Sequence, residues 1–214
     1  MRLSNNLAPD AQPVGIDKSD KRRFLNMHDS RLTRDMINHY ESRTRDHIGL
    51  VVSSAKHLLD KNPDILEGLM GQCCWHDSSK WKEPEIIDYV YITWKYKCND
   101  DGIEFRIPGD VDTHRATWHH VRHNKHHPEY WDPNVTDRYI NNENRDKPGE
   151  ASVDGTSMDL LSLAEMVCDW HAMGLERGNT ARSWADSNIN NRWNFSDSQA
   201  NYIYAFISDL EGTQ

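Results

Sequence analysis

The chain has 214 residues, a formal charge of −9 with its twelve histidines counted neutral, and a mean hydropathy of −0.88. That length suits one domain whose core needs neither disulfides nor a structural metal. The acidic balance argues against grip on duplex nucleic acid through clustered Lys and Arg, and eight Trp with eight Tyr argue against an acidic chain lacking a core.

The cysteines Cys73, Cys74, Cys98 and Cys168 form no C-x-x-C and read as reduced thiols, adjacent Cys73 and Cys74 as small buried residues on a helix. No apolar run approaches the ~18 residues that span a bilayer, and the N-terminus carries no signal-peptide core. The expectation is a soluble cytoplasmic protein with no membrane partner.

Residues 1–28 lack periodicity and read as an arm, leaving 29–214 as a single domain. From Ser30 to Lys61 the pattern is helical, with His47, Leu50, Val51, Ser54 and Leu58 on one face. Pro63-Asp64 opens a second helix to about Trp75, followed by His76-Asp77-Ser78-Ser79-Lys80. A third helix starts near Pro84 and buries Ile86, Ile87, Val90, Tyr91 and Trp94. A loop over 99–112 precedes a helix running on through the histidine-rich segment. Residues 128–156 are rich in Asn, Asp, Pro and Gly and read as a long loop, functional or mobile. Ser157 caps an apolar helix from Met158 to about Met173, residues 182–194 are polar and irregular with room for a short helical turn, and Ser196 with Gln199 opens the last helix with a capping box. Sustained period-2 alternation is absent, so the fold class is all-α.

The chemistry centres on His76-Asp77. Neighbours on a helix point about 100° apart, so two such ligands converge only at a helix end or tightened turn. Imidazole with carboxylate suits Zn, Mn, Fe or Co; the bland alternative is a helix-terminal His followed by an Asp cap. His47 on an earlier apolar face, and Asp169 between Cys168 and Trp170, weigh against that alternative, because a carboxylate in so apolar a stretch needs a partner.

The order His47, His76-Asp77-Ser-Ser-Lys80, Asp169 resembles the HD-domain superfamily of metal-dependent phosphohydrolases. The closer likeness is to an HD-like family of bacteria and phages with the patterns H-D-x-S-K, H-H-x-x-x-N-x-H-H-x-x-Y-W and E-M-V-x-D-W. These stand here as His76–Lys80, His119-His120 through Asn124, His126-His127, Tyr130 and Trp131, and Glu165–Trp170. The resemblance spans roughly His47 to Met173. It implies an HD-like helical bundle in which His47, His76, Asp77 and Asp169 hold a divalent metal (Zn, Mn, Co, Fe or Mg). It also implies that Asp77 and Lys80 act in catalysis, Lys80 contacting a phosphate.

Residues 118–127 hold five of the twelve histidines. One reading makes His119 and His120 ligands of a second ion, as in a branch of the HD enzymes. Another keeps one ion and uses Asn124, His126 and His127, with Tyr130 and Trp131, to bind substrate. A solvated His-rich helix is the bland alternative, and the sequence leaves one ion or two open.

The implied function is hydrolysis of a small phosphorylated substrate, a nucleotide by resemblance, as by a 5'-nucleotidase. An HD-like di-iron oxygenase and a metal-binding regulatory protein without turnover stand as alternatives. Homo-oligomerisation is left open.

Overall fold

The computed structural model describes residues 29–137 and 153–212. The expected arm over 1–28, and the centre of the expected loop over 128–156, lie outside the described residues.

Helix α1 spans Arg34–Lys61. It starts four residues later than the sequence pattern suggested, because Thr33 is the N-cap and accepts from the Met36 amide at 3.2 Å. It stops where Asn62 turns its amide onto the carbonyls of Leu58 and Leu59, ahead of Pro63. Its buried stripe of Met36, Tyr40, Thr44, His47, Val51, Ser54, Ala55 and Leu58 follows the helical period.

The expected second helix is reduced to α2, Leu69–Cys73, preceded by turns and by Gly68 at φ 95°. A 3-10 turn over Ser78–Trp81 leads to α3, Ile86–Asp100, then α4, Thr113–His123, with Asp112 as N-cap. The histidine-rich segment is thus helical only to His123. Part of the expected long loop is ordered, since Pro128–Trp131 forms the short helix α5 with Pro at its first position.

Strand β1, Val153–Asp154, pairs in parallel with β2, Trp193–Asn194. Between them lie α6, Leu160–Arg177, capped by Asp159 rather than Ser157, and α7, Ala181–Asn188, a full helix where a short helical turn at most is expected. The last helix, α8, covers Asp197–Glu211 and carries the expected capping box of Ser196 and Gln199. The fold is all-α, its only described strands being these two-residue segments. No described helix is long and apolar enough to cross a membrane.

Helix α1 packs along α6, α2, α3 and α8. Its C-terminal half joins the larger apolar cluster, with Val51, Ala55 and Leu58 set among Leu163, Met166, Val167, Ile203 and Phe206. Its N-terminal part joins a second cluster, where Met36 and Tyr40 meet Ile86, Val90 and Tyr91. Full burial of one such Leu, Ile or Phe contributes roughly 1.5–3 kcal/mol, so the two clusters hold the helices in fixed register. His47 lies between Tyr40 and Val51, at the seam of the two clusters.

Candidate metal centre

Residues 74–77 form a turn rather than a continuing helix, and Asp77 adopts the left-handed conformation at φ 55°, ψ 22°. A non-glycine residue there carries roughly 1–2 kcal/mol of strain. The reversal removes the helical divergence of adjacent side chains and brings His76 and Asp77 to one place. His76 Nε2 lies 3.6 Å from Asp77 Oδ2, and both residues are 2% exposed.

Helix α6 supplies the opposite wall. Glu165, Asp169 and Glu176 fall at i, i+4 and i+11, one stripe of a 3.6-residue period. Asp169 Oδ1 lies 3.1 Å from His47 Nε2 and 3.8 Å from His76 Nε2. Glu176 Oε1 takes His47 Nδ1 at 3.2 Å, and its other oxygen pairs with Arg43 at 3.2 Å.

The third wall comes from α4 and the turn after it. Arg122 donates to the carbonyls of Glu129 and, at 2.7 Å, of Asp132, folding the chain back onto α4. Glu129, fully buried, anchors the far end by accepting from the Trp193 indole at 3.1 Å. His126 and His127 therefore return to His120, with ring centroids 6.1 and 4.8 Å from it. Asp77 Oδ1 faces this side, 3.3 Å from His120 Nε2 and 3.5 Å from His126 Nε2.

Two groups of candidate ligands result. The donor atoms of His47, His76 and Asp169 lie within 4.8 Å of one another, and so do those of His120, His126 and His127. Asp77 stands between the groups, one oxygen toward each. A third set, His76, His126 and Glu165, meets the same distance. We assign Glu165 an outer role there, because it accepts from both imidazoles through Nδ1: 2.9 Å from His76 and 3.2 Å from His126.

The same pattern repeats around the cluster. Glu176 takes Nδ1 of His47, Glu165 that of His76 and His126, and Glu85 that of His120 at 3.0 Å. An ionised carboxylate only accepts, so Nδ1 carries the proton in each ring and Nε2 is turned inward. Carboxylates behind Nδ1 fix ring orientation and raise ligand basicity at metal sites. The donor set also fits a metal by its unmet bonding: His76 Nε2, Asp77 Oδ1 and His127 Nε2 are buried with no hydrogen-bond partner among protein atoms.

The electrostatics cut across the two groups. Burial alone would depress the His47 imidazole, but Asp169 and Glu176 outweigh it and lift it to about 9. His126 also moves up, burial being outweighed by Glu165, Asp77 and Asp169. His120 moves down through burial despite Asp77 and Glu85, and His127 moves far down through burial and the charges of His126 and His120. Burial would raise Asp77, yet His76, Lys80, His120 and His126 hold it well below the usual carboxylate range. His120 and His127 thus stand neutral near neutral pH, as metal ligation requires, whereas His47 would release a proton on binding an ion.

Residues 36–209 match the model of DUF5662, a family of unknown function. The chain belongs to this family. No curated protein and no solved structure matches the chain. The span shared with DUF5662 contains every residue of the cluster, from His47 on α1 to Glu176 on α6.

Within this DUF5662 domain the structure gathers His47, His76, Asp77, Asp169 and His120, all expected as ligands. It leaves His119 outside: its Nδ1 is bound to Glu85 Oε1 at 2.6 Å, and its ring stacks on His123 at 3.7 Å. His126 and His127, expected on the substrate side, lie beside His120 in the second group. The histidine-rich pattern implies a helix running past residue 124, whereas the helix ends at His123 and the chain turns at Asn124.

Asn124 was also expected to meet substrate. It caps α4, spending its amide on Ser79 Oγ and the His120 carbonyl, both at 2.8 Å. Tyr130 and Trp131 pack edge to face on each other, and the Trp131 indole donates to the Lys125 carbonyl, away from the cluster. Lys80 stands at the partly open edge, its ammonium 2.5 Å from Asp77 Oδ2 and 5.2 Å from the Tyr89 ring centroid.

Glu85, Glu165 and Glu176 went unassigned in the sequence. Glu165 and Glu176 had a usable signal, their spacing of −4 and +7 from Asp169 on one helix. Glu85 had none, because it precedes α3 and is fully buried only through contact with α4.

Proposed function

We propose that this protein is a divalent-metal-dependent phosphohydrolase of HD-like type, acting on a small phosphorylated substrate, with a nucleotide as the favoured class. The observation that carries the reading is the convergence of four imidazoles, those of His47, His76, His120 and His126, on Asp77 and Asp169, each oriented through Nδ1 by a glutamate. The nucleotide class itself rests on the HD resemblance.

Two ions are proposed rather than one. The donor atoms fall into two groups, His47, His76 and Asp169 on one side and His120, His126 and His127 on the other, with Asp77 turning one oxygen toward each, and one ion cannot take up both sets.

Divalent ions bound there supply Lewis acidity, which acidifies water and draws charge from phosphoryl oxygens. The protein's own part is to hold Nε2 lone pairs inward and to place Asp77 between the groups. Lys80 has an 18% exposed side chain and Asp169 a 16% exposed one, so solvent reaches the cluster on their side. An anionic substrate entering there meets the Lys80 ammonium, which offsets part of the chain's −9 field.

The test is to strip metal with chelator, reload with Mn, Co, Zn, Mg or Fe, and measure phosphate release from nucleoside monophosphates, deoxynucleotides and sugar phosphates. Failure of every metal-loaded form to release phosphate would sink the hydrolase reading. The three histidines of the second group give a di-iron oxygenase a specific foothold. Oxygen consumption by the iron-loaded protein, without phosphate release, would move the assignment there.

A further inference from the structure

Two of the outer glutamates serve one candidate group each. Glu176 touches His47, and Glu85 touches His120 together with His119, which stands outside the cluster. Glu165 differs, since the same Oε1 meets His76 of the first group at 2.9 Å and His126 of the second at 3.2 Å. The two rings lie against each other, with centroids 4.2 Å apart. Glu165 is itself fixed from behind: its Oε2 accepts from Gln72 Nε2 at 2.7 Å, and Gln72 also reaches Ser162 Oγ at 3.3 Å.

Resting on the two-ion reading, we infer that Glu165 is a positioning residue shared by both metal groups, setting the orientation of one imidazole in each. A single oxygen cannot satisfy both Nδ1 donors unless the two rings keep their present relation. The bearing of His76 Nε2 on the first group and of His126 Nε2 on the second is therefore set by one side chain. Outer-sphere partners of metal-bound histidines typically contribute 10–100-fold in affinity. Glu165 makes that contribution twice, whereas Glu176 and Glu85 each make it once.

Cobalt(II) is the metal to use, added to chelated full-length protein and followed by visible absorbance and calorimetry. His47→Ala and His127→Ala, each removing a ligand of one group only, identify which binding step belongs to which group. Glu165→Gln, nearly isosteric, is expected to weaken both steps by roughly 10–100-fold. Glu176→Gln should weaken only the step lost in His47→Ala, and Glu85→Gln only that lost in His127→Ala. An effect of Glu165→Gln on one step, or on neither, overturns the inference.

Should circular dichroism show Glu165→Gln to be misfolded, Gln72→Ala decides. It keeps the carboxylate but frees it, so both steps should weaken together by a smaller factor, and a change in one step alone counts against the proposal. Wild-type protein that takes up fewer than two ions overturns both this inference and the reading beneath it. Two intact wild-type steps with a one-step effect of Glu165→Gln overturn the inference alone.

Discussion

The Lys80 ammonium lies 2.5 Å from Oδ2 of Asp77, the oxygen that faces His76 Nε2 at 3.6 Å. An ion in the first group would draw on the same oxygen, so ammonium and metal compete for it. Replacing Lys80 with Met removes the competitor while keeping the aliphatic stem. Metal affinity should rise by roughly tenfold, the scale of one partly screened charge contact. On the proposed function, phosphate release should fall by at least about tenfold, because the cation assigned to the substrate phosphate is gone. Competition titration with a chelating dye reads the first effect; an unchanged affinity would show that Lys80 and the ion do not share Asp77.

Asp77 and His76 are separable by the number of ions lost. Asp77→Asn keeps a residue that tolerates the left-handed backbone, so helix content should hold while both ions are weakened, the bridge being common to the two groups. His76→Ala should remove the first ion and leave the second measurable. Elemental analysis after gel filtration, with circular dichroism beside it, checks both. Full metal content in Asp77→Asn would contradict the placement of Asp77 between the groups.

The return of His126 and His127 depends on Arg122, which donates to the Glu129 and Asp132 carbonyls. Charge-assisted hydrogen bonds of this kind contribute about 1.5–3 kcal/mol each. Arg122→Met should lower unfolding free energy by roughly 2–4 kcal/mol and empty the second group while the first still binds. Urea unfolding and cobalt stoichiometry report on these outcomes, and loss of the first group alone would refute the assignment.

The same segment marks where the sequence stopped being readable. Helical period placed α1, α3, α6 and α8, and the capping box of Ser196 and Gln199 located the start of α8, because these signals are local. His76-Asp77 was visible as a pair, but its convergence needed the left-handed backbone at Asp77, which no neighbouring residue announces. The reversal after Asn124 is made by Arg122 reaching residues seven and ten positions on, so the pattern through His123 gave no warning of it. The β1–β2 pairing joins segments forty residues apart and is too short to show an alternation.

A pH test lies away from the cluster. Asp88 is 5% exposed, its Oδ2 has no hydrogen-bond partner, and Arg115 stands 3.7 Å off. Burial lifts its carboxyl to about 6, with Arg115 opposing and Asp112 and Glu83 adding to the rise. The folded state therefore holds this proton more tightly than the unfolded chain, whose carboxyl titrates near 3.9. Stability falls as pH rises from about 4 to about 6 and is level above that. Asp88→Asn should stabilise the protein at pH 7 by roughly 1–2 kcal/mol, after discounting for the solvated Arg115 side, and by almost nothing at pH 4. Calorimetric unfolding of both proteins at the two pH values measures it; equal gains at both would remove the titration as the cause.

Ala172 is fully buried on α6, seven residues after Glu165 and four before Glu176, on the same stripe that reaches His47. Spacing between packed helices is set by the bulk of the side chains at their contact, about 8–10 Å between axes. Ala172 belongs to the same apolar cluster as Val51 and Ala55 of α1, so its methyl group would let the stripe lie close to α1 and would help set how far Asp169 and Glu176 stand from His47. Ala172→Leu would act as a wedge, lengthening both contacts and lowering first-group metal affinity while every donor atom remains in the chain. Unaltered affinity in a folded Ala172→Leu protein would show that the helices accommodate the bulk elsewhere. The tuning of the proposed centre would accordingly be mechanical as well as chemical, with substitutions deep in the apolar interior altering metal binding without touching a ligand.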